Sequence, residues 1–406
     1  MSDSEPIVIV GGGHAAAQLC AGLVEAGAGT RVHLVCEEAR LPYHRPPLSK
    51  AFLKSTDEAL QPHRADAWYA DNGIQLHLAD PAVHIARAAR TLRLRSGAEL
   101  GYGHLVLATG TRARRLPHLP DTLGNVAALR SADDALRLRE QLASARHVTV
   151  LGGGFIGLEI AATARALGKA VTVLESAPRL LMRSVSPEIG DFVLASHRDA
   201  GTDVRLGVAV GGFEIDGHRL AGLTVDGAPE PVELLVLGIG AVPEHGLASE
   251  AGLDCTNGIV VDAFMRTSDP AILAVGDCTN FPEHRGGRRL RLESVQNAND
   301  QARTAVATLL GREAAYFALP WFWSEQGALR LQMAGLVPEG GTRHRRPSTK
   351  ADSFSILHYV GEQLVCVESV NAAMDHVMSR KLMEAGKSPP PSAACDPATP
   401  LKSFLA

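Results

Sequence analysis

The stretch Ile7-Val8-Ile9-Val10-Gly11-Gly12-Gly13-His14-Ala15-Ala16 decides the fold class. Four β-branched residues in an unbroken run read as a short strand buried on both faces, and three glycines end it. Ala15 to Glu25 then carries Ala16, Leu19, Cys20 and Leu23 on one helical face, and Arg31 to Cys36 returns to a strand pattern. The same unit recurs about 140 residues later. There Val148 to Leu151 leads into Gly152-Gly153-Gly154, a helical pattern from Phe155 to Leu167 and a strand from Ala170 to Leu174.

Both turns are built to approach a dinucleotide. In Gly11-x-Gly13-x-x-Ala16 the first glycine allows the tight turn and the second lets the backbone near a pyrophosphate. The small Ala16 lets helix and strand pack closely, and unpaired N–H groups of the helix start face the phosphates. Glu37 follows Gly13 by 24 residues, where a carboxylate accepts hydrogen bonds from a ribose. Gly152-x-Gly154-x-x-Gly157 repeats the pattern, with Glu175 falling 21 residues after Gly154. A carboxylate there favours NAD, because a 2′-phosphate would meet like charge, although Arg179 leaves a route to NADP. The fold class expected is α/β with two Rossmann-like dinucleotide-binding domains.

The remaining composition bounds the answer. At roughly 150 residues per domain, 406 residues make two or three domains. Hydrophobic residues at 46%, charged residues at 21% and a net charge of -4 are ordinary for a globular chain and exclude a disordered or polyanion-binding one. Six scattered cysteines without a CxxC pair fit a reducing compartment. No leader pattern and no apolar run near the ~18 residues of a membrane span are present, so a cytoplasmic protein without membrane contact is expected. The sixteen histidines have no ordered ligand or triad spacing, so no metal is expected.

Ser186-Pro187-Glu188 reads as a helix start running to about Ala200, and Leu234 to Gly238 and Ile272 to Val275 as short buried strands. From about Leu319 the alternation of Leu329 to Ala334, Phe354 to Tyr359 and Leu364 to Val370 predicts a third, α+β domain with a helix capped by Asn371. The tail Ser388 to Pro400 reads as extended and peripheral.

The segments Leu41-Pro42-Tyr43-His44-Arg45-Pro46-Pro47-Leu48-Ser49-Lys50, Leu107-Ala108-Thr109-Gly110, Ala274-Val275-Gly276-Asp277-Cys278, Leu292-Glu293-Ser294-Val295-Gln296-Asn297-Ala298 and Pro320-Trp321-Phe322-Trp323-Ser324 carry more than the generic motif. Together they resemble the FAD-dependent NADH:ferredoxin reductases of bacterial oxygenase systems, within the glutathione-reductase-like superfamily. The resemblance runs from Ile7 to about Ala385. It implies a discontinuous FAD domain over 1–114 and 242–317, an NAD domain over 115–241, and a C-terminal α+β domain over 318–406.

It also implies site residues. Gly11, Gly13, His14, Ala15 and Ala16 would line the FAD pyrophosphate, with Glu37 on the ribose, Val83 beside the adenine, Ala108, Thr109 and Gly110 along the cofactor, and Gly276 and Asp277 at the ribityl chain. Arg45, Lys50 and Arg130 would place positive charge near phosphate or flavin. Val295 and Trp323 would wall the flavin ring. Gly152, Gly154, Phe155, Ile156, Gly157, Glu175 and Gly240 would take NAD, with Glu159 and Glu293 toward the nicotinamide, and Ser294 is a further cofactor-binding candidate. Lys50, Glu159 and Trp323 are the catalytic candidates. Two alternatives stand beside these: Glu159 as an exposed first-turn acid facing the helix dipole, and Glu293 as a cap of the following helix.

Pro42 to Lys50 contains no cysteine, so neither the dithiol of a disulfide reductase nor the single thiol of a peroxide reductase is present there. Cys36 and Cys278 read as packed core thiols. The activity implied is hydride transfer from NADH to FAD, then single electrons to a two-iron two-sulfur ferredoxin serving a terminal oxygenase. A rubredoxin, oxygen or quinone reductase, or a redox sensor resembling apoptosis-inducing factor, are the competing readings. His284 to Arg291 and Arg343 to Arg346 are basic enough to meet an acidic ferredoxin. Without interleaved aromatics, neither suits nucleic acid. The oligomeric state stays open.

Overall fold

In the computed structural model, which describes residues 5–283, 287–312 and 314–405, the Ile7–Val10 strand is the centre of its sheet. Val32–Val35 pairs with it in parallel on one side and His104–Leu107 on the other. Gln75–His77 and Ile272–Ala274 complete five parallel strands. Both faces of a parallel sheet are covered, which is why Ile7, Val8 and Ile9 are fully buried and why the run does not alternate. The helices His14–Glu25 and Val295–Leu309 pack together, with Gly22 against Val306. This first unit comprises residues 1–45, 60–112 and 241–318.

The second unit comprises residues 46–59, 113–240 and 319–406. Its parallel sheet runs in the order Asp203–Leu206, Ala170–Glu175, His147–Leu151, Leu234–Leu237, Val126–Ala128. The helix Phe155–Ala166 connects two of these strands. The C-terminal part is a five-stranded antiparallel sheet in the order Trp321–Gln326, Leu329–Gly335, Gln363–Val370, Phe354–Val360, Thr342–Pro347, backed by the helix Ala373–Glu384. Pro46–Ala59 belongs to this second unit, although the stretch lies inside the 1–114 segment expected for the first domain.

Two expectations are corrected. Asn371 is not the cap of the last long helix: Ala372 holds that position without a side-chain bond. Asn371 instead takes a left-handed conformation at φ +50°, and its carboxamide accepts from the Arg330 N–H. Such a conformation suits Asn because its short side chain bonds locally. The tail is not extended and peripheral either. It forms the short helix Pro391–Ala394 and a final turn Leu401–Leu405, and Ala394 and Leu401 are buried in the core of the C-terminal sheet. Tyr359 donates its hydroxyl to the Pro389 carbonyl. Among the described residues no helix is long and apolar enough to cross a membrane.

Candidate functional site: two glycine turns and a buried Lys50–Glu159 pair

The two glycine turns are superimposable in their logic. Gly11 sits at φ +126° and Gly152 at φ +106°. A Cβ on Gly11 would lie 2.2 Å from the Ala108 carbonyl oxygen, and one on Gly152 would lie 2.5 Å from that of Gly238. Only glycine fits either place. At Gly13, by contrast, an added Cβ would meet nothing within 4 Å, so its smallness leaves a cradle for a ligand and serves no protein contact. The two helices that follow carry neither a side-chain cap nor an acidic first turn. The helix Ala132–Ser144 is closed by a Ser131 capping box and Val295–Leu309 by Ser294. Leaving the first-turn N–H groups open at the two glycine turns suits phosphate binding there. The residues therefore fit two dinucleotides.

In the first unit, Ala15 and Ala16 are buried on the sheet side. Gly276 donates its N–H to Gln301 Oε1 at 2.7 Å, which holds the Asp277 turn close to Ala15. Ala108 is buried, Thr109 donates to the Glu244 carbonyl at 2.6 Å, and Gly110 accepts from the Glu244 N–H at 2.9 Å. Glu37 is exposed. Its neighbour Glu38 accepts from Tyr43 at 2.6 Å and from Arg45 at 2.7 Å, so Arg45 is tied to a carboxylate. Val83 is 39% exposed on a small separate sheet. Val295 opens its helix half-buried, and Glu293 is exposed and paired with Arg291 at 2.5 Å. Ser294, whose Oγ accepts from Asn297 N–H, caps that helix, so the capping alternative for Glu293 is set aside.

The hydrogen-bond register separates the two acids. Gly152 N–H bonds to Leu174 O and Gly11 N–H to Val35 O, so the position of Glu175 is matched in the first unit by Cys36, with Glu37 one residue further on. Glu175 Oε2 accepts from Gly153 N–H at 2.6 Å and Oε1 from Ala177 N–H at 2.7 Å, which fixes the carboxylate at the turn. Cys36 sits against Gly12, and burial, then the nearby Glu38, pushes its thiol up to about 12. Cys278 is buried, its thiol raised by burial, and it bonds to the Val275 carbonyl. Both are packed thiols.

Glu159 is 4% exposed, so it is not a solvent-facing first-turn acid. Its Oε2 accepts from Lys50 Nζ at 2.7 Å and from Ser49 Oγ at 2.5 Å, and its Oε1 accepts from Ser324 Oγ at 2.7 Å and Glu325 N–H at 3.4 Å. These donors take all four acceptor positions of the carboxylate, so a carboxamide reaches it only by displacing one. Ser49 and Ser324 were not among the candidates, although both stand in the PPLSK and PWFWS segments. Trp323 stacks on Trp321 with ring centroids 5.7 Å apart, and Phe155 meets Phe322 edge-on at 4.4 Å. Ile156 is 48% exposed, Gly157 is buried under the turn, and Gly240 is exposed and bonded to Arg114 N–H. Arg130 lies just before the Ser131 cap, with its N–H on Asp134.

The basic segments are partly consumed by the fold. Arg346 is buried and bonded to Asp375 and to the Ala394, Asp396 and Thr399 carbonyls, and Arg343 pairs with Glu188. Arg288 pairs with Glu283 and Arg289 with main-chain carbonyls, while His284, Arg285 and Gly286 lie outside the described residues.

Residues 5–302 match the pyridine nucleotide-disulphide oxidoreductase family, and residues 321–405 match the reductase C-terminal family. The chain belongs to the pyridine nucleotide-disulphide oxidoreductases. This reductase is 40% identical over 405 residues to rhodocoxin reductase of Rhodococcus erythropolis, across 98% of this chain and 94% of the relative. It is 40% identical to the ferredoxin–NAD(+) reductase component of the anthranilate 1,2-dioxygenase system of Burkholderia cepacia, across 99% and 100%. A ferredoxin reductase structure from Rhodopseudomonas palustris superposes with a TM-score of 0.95 at 42% identity, covering 99% of this chain and 100% of that one. The family resemblance and the glutathione-reductase-like fold read from the motifs hold, and the family uses FAD and NAD(H).

Proposed function

We infer that this reductase is an NADH:ferredoxin oxidoreductase that supplies a Rieske oxygenase or a cytochrome P450 through a two-iron two-sulfur ferredoxin. FAD, when bound, accepts two electrons as a hydride and releases them singly. The observation that carries the reading is the absence of any cysteine in Pro42–Lys50, together with the burial of Cys36 and Cys278. Without an accessible thiol beside the first turn, electrons have no dithiol to enter. FAD held at the first turn would pass them to a separate carrier.

We assign Gly11, Gly13 and the start of the following helix to the FAD phosphates, Glu37 to its ribose and Asp277 to its ribityl chain. Gly152, Gly154 and Glu175 receive NADH, and Glu175 selects it over NADPH by like-charge repulsion of a 2′-phosphate. Lys50 presents a positive charge held by Glu159 and Ser49, Ser324 holds the other oxygen of Glu159, and Trp321 stacks on Trp323 in the same unit. No proton donor is required for the hydride step. All six cysteines are free, which supports a reducing, cytoplasmic setting.

Anaerobic stopped-flow mixing of the yellow holoenzyme with NADH, then with oxidised two-iron ferredoxin, tests the assignment. Flavin bleaching followed by ferredoxin reduction is expected. Bleaching with no transfer to any ferredoxin would redirect the reading to an oxidase or a sensor, and a chain without flavin would overturn it.

A further inference from the structure

Three histidines that are remote in sequence meet in the first unit. His14 opens the helix after the first glycine turn, and His44 and His63 lie on two segments joined by an antiparallel bridge at Tyr43 and Pro62. That bridge, with His44 N–H on Gln61 O and His63 N–H on Pro42 O, sets the second and third rings side by side. Ring centroids are 3.9 Å apart for His44 and His63, 4.6 Å for His14 and His63, and 5.7 Å for His14 and His44. One ring nitrogen of each lies within 4.8 Å of the others. His63 Nε2 is buried without a hydrogen-bond partner. A buried ring nitrogen without a partner, in a residue clustered with two further imidazoles, is a group that a ligand would satisfy.

We propose that His14, His44 and His63 form a binding site for a borderline divalent cation of the zinc type. Imidazole nitrogens suit Zn²⁺, Cu²⁺ and Ni²⁺, whereas Mg²⁺ and Ca²⁺ want oxygen. Three ligands at ~2.0 Å from a tetrahedral ion stand about 3.3 Å apart, which side-chain rotation reaches from the spacing observed. Arg45, beside His44 in sequence, has its charge offset by Glu38. The fourth position stays open for water or an anion. Occupancy ties the His44–His63 segment to the first glycine turn.

The test uses chelator-treated, FAD-loaded protein titrated with zinc sulfate by calorimetry. One Zn²⁺ per chain is expected, with affinity falling roughly tenfold or more in His63→Ala and in His44→Ala, since loss of even an outer-shell partner costs that much. Flavin absorbance in each variant reports that the fold and cofactor are retained. Should the variants lose flavin, Cu²⁺ electron paramagnetic resonance on the unmodified protein decides, with coupling to several nitrogens expected. Zinc affinity unchanged in both variants, no stoichiometric binding, or a Cu²⁺ spectrum without multiple nitrogen couplings would overturn the site.

Discussion

Lys50 Nζ lies 2.7 Å from Glu159 Oε2, with the lysine 19% and the glutamate 4% exposed. Removing one partner of a buried pair leaves the other charge uncompensated, at about 3–5 kcal/mol, and the partial exposure of Lys50 puts this pair at the low end. Glu159→Gln keeps the shape and can keep both serine contacts but not the counter-charge. Its rate constant for flavin reduction by NADH is expected to fall at least about tenfold, which is ~1.4 kcal/mol in the barrier. Stopped-flow bleaching measures this directly, and an unchanged rate would remove the pair from the catalytic machinery.

Glu175→Arg is expected to lower the preference for NADH over NADPH by about tenfold or more, or ~1.4 kcal/mol of differential binding. The wild-type carboxylate also accepts from Gly153 and Ala177 N–H, so the variant loses two main-chain bonds at the turn. Glu175→Ala loses those bonds without adding charge. Steady-state selectivity measured in both variants separates the two effects.

His376 is buried, and burial, then Arg380 and Arg330, lower its imidazole from 6.5 to about 4. Its Nδ1 has no hydrogen-bond partner. Between these two values the unfolded chain binds a proton that the folded chain does not, so stability rises with pH there. The contribution is complete above about pH 6.5 and is lost as pH falls toward 4. His376→Gln is expected to flatten the stability profile by one proton, ~1.4 kcal/mol per pH unit, in that window. Denaturant unfolding at successive pH values reads the slope.

Arg346 is 6% exposed and joins Asp375 to three carbonyls of the C-terminal segment. Arg346→Ala leaves Asp375 without that partner and the carbonyls unsatisfied, and is expected to cost about 3 kcal/mol. The segment from 388 to 400 should then be cut early in limited proteolysis, while the wild-type chain resists at the same protease dose.

The two strand-glycine-helix units and most strand positions were legible in the sequence, because a buried parallel strand and a glycine turn are local patterns of a few residues. Ile7–Val10 and His147–Leu151 are read from their own composition. The sequence leaves Glu293 open as a nicotinamide-side acid or a helix cap, and the fold gives the cap to Ser294, because cap identity depends on which hydroxyl the backbone actually reaches. Asn371 misled for the same reason, since a turn and a cap use the same residue type.

The environment of Glu159 was decided by tertiary structure alone. Ser49 and Ser324 are 110 and 165 residues from it in sequence, and only folding brings their hydroxyls to its carboxylate. The same holds for His14, His44 and His63, whose spacing carries no pattern. Local sequence determines backbone conformation through short-range sterics and burial. Which polar groups satisfy one another depends on the packing of distant segments, so it becomes readable only after the chain has folded.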